Sequence, residues 1–207
     1  MTSETPVAVS QLVEPVREPA GRLRWLWPAA NLFLALTLAG IPALGDSQDI
    51  WVLVETEPRV LKVMQGTDEL EIFPRVAIGL HGADVEKAHG DKKTPLGEYR
   101  IGWVNDNSKF HRFLGLTYPN IDNAKRAYRD GLISEETVRS IMRAEMEEDI
   151  PPQNTPLGGQ IGIHGLGVAD RQIHEAFDWT SGCIALTNQE IDRLSKWIRK
   201  GTLVVIR

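Results

Sequence analysis

The 207-residue chain suits one domain with appendages, and its 42% hydrophobic and 25% charged residues are ordinary globular values. A formal net charge of −5 offers no basic surface for nucleic acid. One cysteine excludes an internal disulfide.

Residues 1–21 are rich in Pro, Glu, Val and Ser without a period, and are expected to be a disordered tail. Arg22 and Arg24 then precede an uncharged stretch, Trp25 to Gly45, that just reaches the ~20 residues a spanning helix needs. Asp46 and Asp49 follow it. The positive-inside rule therefore keeps the N-terminus in the cytoplasm and sends the rest outside. Residues 22–45 are expected to serve as a signal peptide or membrane anchor. Ala43-Leu44-Gly45 offers a cleavage site, whereas the long tail ahead of the run favours an uncleaved anchor. Residues 46–207 are then exported to the periplasm or cell envelope, tethered to the inner membrane if the anchor is kept. There a lone thiol is an oxidation liability unless it is used or deeply buried, which draws attention to Cys183.

Ile50–Glu55 and Val60–Met64 are short, β-branched and apolar around the turn Thr56-Glu57-Pro58-Arg59, which predicts a hairpin. The run from Leu70 to Gly79 is broken by Pro74, so it is expected at an edge or a bulge. His81 and His89 fall in a polar loop and lack the spacing of a metal pair. Turn chemistry at Thr94-Pro95-Leu96-Gly97 leads into a strand from Glu98 to Val104. The middle turns helical: Asp122 to Asp130, and Ser134 to Asp149 with Ser134 as N-cap. Val138, Ile141, Met142 and Met146 form a stripe expected to be core material, with a lid or docking surface as the alternative. A Pro- and Gly-rich loop, 151–159, is placed to border a cleft. After Cys183, Thr187 and Glu190 fit a capping box. Ile191, Leu194 and Ile198 mark the buried stripe of a helix ending near Gly201, and Thr202–Ile206 reads as a last strand.

The chemistry concentrates in Ile161-Gly162-Ile163-His164-Gly165 and Thr180-Ser181-Gly182-Cys183-Ile184. A thiol and an imidazole able to take its proton are the minimum kit for covalent acyl transfer. A free thiol has a pKa near ~8.5, so it needs such a base. The N–H groups of Cys183 and Gly182 are candidates for facing an oxyanion. A backbone carbonyl beside Gly165 is a candidate to orient the imidazole, as is Ser181, which could instead cap the turn. Trp179 either lines a substrate cleft or is an aromatic core residue. His174 is a lesser candidate base. No metal-ligand spacing or phosphate-binding loop is present.

His164-Gly165 followed by Ser181-Gly182-Cys183-Ile184 resembles the signature of the L,D-transpeptidase catalytic domain (the YkuD-like family). Gly90-Asp91-Lys92-Lys93-Thr94-Pro95-Leu96-Gly97 is similar to the family's Gly-x-x-x-Thr-Pro-x-Gly strand entry. Tyr118-Pro119-Asn120 resembles its murein-transpeptidase branch, and the closing helix and strand also match. The resemblance covers roughly residues 50 to 207. It implies a mixed α+β, β-rich fold, a YkuD-like sandwich or barrel with a helical insertion over 121–150. It also implies a thioester at Cys183, His164 as base, peptidoglycan stem peptides as substrate and no cofactor. Two departures stand out: the histidine usual in the cysteine turn is missing, and Ala185 stands where many members have Arg. These leave the acyl acceptor open among an amine, water and a protein side chain. The competing readings are a carboxypeptidase or amidase with the same nucleophile and a non-catalytic wall-binding domain. A zinc peptidase lacks its ligand spacing.

Overall fold

The computed structural model describes residues 49–207. The expected tail and the 22–45 segment lie outside the described residues. Among the described residues no helix is long and apolar enough to cross a membrane.

Alternating and β-branched runs build the first antiparallel strands, β1 (Ile50–Glu55), β2 (Val60–Gln65) and β3 (Asp68–Pro74). β3 lies at one edge of the sheet and ends at Pro74, where a missing N–H does least harm. β1 is interior: Val52, Leu53 and Val54 are all buried. Two two-residue strands, β4 (Ala83–Asp84) and β5 (Thr94–Pro95), pair in parallel and brace the 81–95 loop.

β6 (Gly97–Ser108) is longer than its sequence pattern suggests, and it joins the halves of the sheet. Its beginning pairs with β10 (Leu203–Ile206). From Ile101 onward it pairs with β7 (His111–Leu116), and the register shifts between Ile101 and Trp103. β7 has no counterpart in the sequence reading. Beyond it lie β8 (Gly162–His164) and β9 (Ile184–Ala185), giving eight strands in the order β3-β2-β1-β10-β6-β7-β8-β9. The chain leaving β3 then returns to the far edge. Bridges Ala77–Ala185 and Gly79–Thr180 hold it there, so chain continuous with one edge closes the other.

The helical stretch is two helices, α1 (Ile121–Arg129) and α2 (Glu135–Met146). Asn120 caps α1 in a reciprocal box with Asn123, and Ser134 caps α2. Ile141 is fully buried, but Met142 and Met146 are 43% and 79% exposed. The expectation of a methionine-bearing core stripe is therefore corrected. α2 buries Ile141 and Ala144, and its methionines lie outside that face. A short α3 (Arg171–Ala176) precedes the cysteine turn. α4 (Asn188–Leu194) follows it and stops at Ser195, short of the expected Gly201, with tighter turns completing the segment.

The Thr187–Glu190 box fixes the start of α4. Glu190 N–H donates to Thr187 Oγ1, and Thr187 N–H donates to Glu190 Oε2. Thr187→Ala should lower the unfolding free energy by about 1 kcal/mol. A shift in the urea midpoint at unchanged m-value is the expected reading; an unchanged midpoint would mean the cap does not hold α4.

Candidate active site

β8 and β9 are adjacent parallel strands, with Ile163 opposite Ile184 and His164 opposite Ala185. Both isoleucines are fully buried in the core. Side chains alternate along a strand, so Gly162, His164 and Ala185 lie on the opposite face, and Cys183, just ahead of β9, meets the Gly162 N–H with its sulfur. The thiol is thus brought to the side of the His164 imidazole. The two strands are each only a few residues long, yet they bring together groups nineteen positions apart in sequence.

His164 is 2% exposed. Phe110 stacks on its ring at 4.2 Å between centroids, and Trp179 meets it edge-on at 5.9 Å. Its Nδ1 lies 2.7 Å from the carbonyl oxygen of Gly165. A carbonyl only accepts, so Nδ1 carries the proton and Nε2 is left with a lone pair. Burial pushes the imidazole pKa down to about 4, although the Gly165 bond acts in the other direction. The ring is therefore neutral at physiological pH.

Cys183 ends a turn held by Thr180. The Thr180 hydroxyl accepts from the N–H of Gly182 at 3.1 Å and donates to the carbonyl of Cys183 at 2.7 Å. Gly182 has φ +127°, and a Cβ there would lie 2.6 Å from the carbonyl oxygen of Lys93. Only glycine fits. The turn thereby rests on the 87–93 loop, which Asp91 organises by accepting from Lys87 Nζ at 2.7 Å and from the N–H groups of Ala88 and Lys93. Burial pushes Asp91 upward, but these bonds prevail and hold its pKa below the ordinary carboxylate value. On the other side the Cys183 thiol points at the carbonyl of Gln160, 3.5 Å away. Gln160 itself sits at φ +56°, and its N–H donates to Gln153 Oε1. Burial pushes the Cys183 thiol up to about 11, against smaller lowering effects from the Gly162 N–H and the Lys87 charge. The resting pair is a neutral thiol beside a neutral imidazole.

Of the residues singled out from sequence, Cys183, His164, Gly165, Gly182 and Trp179 gather at this surface. Two of the roles expected of these and their neighbours need correction. The N–H of Gly182 is already given to Thr180, so it does not face outward as an oxyanion donor. Ser181 is exposed, and the hydroxyl that ties the turn belongs to Thr180. Of the two candidates to orient the imidazole, the carbonyl of Gly165 does so. Trp179 is half-buried against His164, and its Nε1–H donates to His174 Nδ1 at 3.5 Å. His174 is thereby engaged with Trp179. Thr180, Gln160 and the Lys87–Asp91 pair were not anticipated. The Gly-Asp-Lys-Lys-Thr-Pro run was the one signal that could have pointed to Asp91. Among the described residues no group of three or more His, Cys, Asp or Glu side chains is arranged to hold a metal ion.

A strand pair that presents a thiol and an oriented imidazole on one face is an arrangement suited to acyl transfer. The model of the L,D-transpeptidase catalytic domain (YkuD) matches residues 49–206, and the chain belongs to that family. Among solved structures, the chain is similar to the helical cell shape determining protein Pgp2 from Campylobacter jejuni. That match has a TM-score of 0.53 and 23% identity, and it covers 77% of this chain and 47% of that one. The K307A mutant of Pgp2 gives 0.51 at 22% identity, covering 79% and 51%. Bdellovibrio bacteriovorus Bd1075 gives 0.49 at 19% identity, covering 77% and 48%. The chain spans about half the length of these proteins, and the likeness is one of fold. No curated protein sequence matches it.

Burial of His164 in its neutral form has a consequence for stability. Its folded pKa, about 4, lies below the ordinary 6.5, so the folded state binds fewer protons between these values. The contribution of neutral His164 is complete above about pH 6.5 and is lost as pH falls through about 4. Denaturant titrations of the wild type should show stability falling by up to about 3 kcal/mol over this window. His164→Gln should flatten that slope; an equally steep slope in the variant would place the titrating group elsewhere.

Proposed function

We propose that this domain is an exported L,D-transpeptidase that acts on peptidoglycan stem peptides, with Cys183 as nucleophile and His164 as base. The single observation that carries the reading is the Nδ1–Gly165 hydrogen bond. It leaves a basic Nε2 on the face that also bears the thiol.

His164 Nε2 takes the Sγ proton as the sulfur attacks the carbonyl carbon of the third stem residue. The neutral resting state means this transfer accompanies attack and does not precede it. The tetrahedral oxyanion accepts from the N–H of Cys183, the Gly182 N–H being occupied. The carbon–nitrogen bond then breaks. The departing D-amino acid takes its proton from the imidazolium and leaves a thioester on Cys183. An acceptor amine attacks the thioester, gives its proton to His164 and releases the thiol, closing the cycle. Water in place of the amine would make the same machinery a carboxypeptidase.

Location in the periplasm or cell envelope, with membrane attachment through residues 22–45 if these are retained, rests on the charge pattern of the N-terminal segment. A part in cell shape, the role named for Pgp2, fits a protein of this fold that works on the wall.

Incubation with tetrapeptide-bearing muropeptides should release the D-residue and yield cross-linked dimers. Cys183→Ala should lose all product at a nearly unchanged melting temperature. His164→Gln should lower kcat by about 10²–10⁴-fold. Free tripeptide without dimers would make the enzyme a hydrolase. No product from a folded wild type would favour a wall-binding domain.

A further inference from the structure

A second site lies behind the cysteine turn. A cavity of about 260 Å³ opens between the 85–93 loop, the C-terminal half of α1 and Leu157. Three cations line it, and two are satisfied: Lys87 bonds Asp91 and Lys93 bonds Asp84, each at 2.7 Å. The third is Arg126. Among the described residues its Nε is buried with no hydrogen-bond partner, and no carboxylate lies within ion-pair distance of its guanidinium.

A guanidinium stays protonated, so it cannot relieve this by losing a proton. Leaving such a buried donor unpaired is costly, because its lost hydration is not replaced. A molecule that brings an acceptor into the cavity removes that cost. The fork of N–H groups fits a carboxylate best. Glu86 and Asp130 also border the cavity, which disfavours a doubly charged phosphate. The cavity also adjoins the reacting turn through Lys87, which is 7% exposed. It is among the lining residues, and its Cε lies 3.4 Å from where a Cβ of Gly182 would stand.

We propose that this cavity is a carboxylate-recognition subsite for the stem peptide, anchored by Arg126; the inference rests on the peptidoglycan reading of Cys183. Arg126 is a binding residue for a part of the peptide remote from the bond that breaks. Its contribution therefore falls on substrate affinity more than on the chemical step.

The test uses the full chain in detergent with ¹⁵N-labelled arginine. The Arg126 Nε–H signal is identified by its absence in Arg126→Lys. It should shift saturably on adding N-acetyl-L-Ala-γ-D-Glu-L-Lys with free carboxylates, and stay in place with the fully amidated peptide. Arg126→Met should raise KM for a tetrapeptide muropeptide by about tenfold or more while kcat changes by less than about twofold. Alkylation of Cys183 by iodoacetamide should be unaffected. No shift, or equal shifts with both peptides, overturns the subsite. An unchanged KM in Arg126→Met with normal turnover also overturns it and leaves the catalytic reading standing. A carboxylate-dependent shift in a protein that never turns over supports the subsite and removes the catalytic reading.

Discussion

The hydrogen bond from His164 Nδ1 to the Gly165 carbonyl is the constraint on which the site depends. It fixes the tautomer, so the nitrogen left free is the basic one. It is also a local contact, one residue away in sequence, and needs no carboxylate partner. Phe110 and Trp179 then fix the plane of the ring. Their apolar surfaces hold the imidazole neutral, the state a general base requires before it acts.

The rest of the fold serves to bring a thiol beside that ring. β8 and β9 contribute only five residues between them, yet Ile163 and Ile184 anchor both strands in the core. The N–H of Gly162, two residues before His164 on β8, then meets the Cys183 sulfur and brings the thiol to the side of the imidazole. The cysteine turn is held from three directions: by the Thr180 hydroxyl within it, the 87–93 loop beneath it, and the Gln160 carbonyl beside it. Gln160 keeps a left-handed backbone at a cost of about 1–3 kcal/mol, offset in part by the bond from its N–H to Gln153. A thiol held this way is a weak acid and stays protonated at physiological pH, which slows its oxidation.

Much of this was legible where the chemistry is local. The β1–β2 hairpin, the Ser134 cap and the Thr187–Glu190 box follow from turn residues and capping side chains a few positions apart. The sole cysteine and the glycine-flanked histidine stood out for the same reason. β7 was missed because its polar start, His111 and Arg112, and the glycine at 115 weaken any strand pattern. Its place is set by tertiary contact: the Trp103 ring lies where a Cβ of Gly115 would be. Met142 and Met146 were misjudged because helical spacing cannot say which apolar face a partner will cover. Thr180 and Ser181 are adjacent hydroxyls, and only the backbone at Gly182 decides which of them closes the turn. Lys87, Asp91 and Arg126 come from segments far from the cysteine, and their meeting is a product of the fold.

The most direct measurement is intact-protein mass spectrometry of the wild type quenched in acid during reaction with a tetrapeptide muropeptide, followed by peptide mapping. A transient adduct equal in mass to the substrate less the free D-amino acid it releases is expected on the peptide that contains Cys183. A folded protein that turns over substrate with no adduct, or with the adduct on another residue, would contradict covalent catalysis at Cys183.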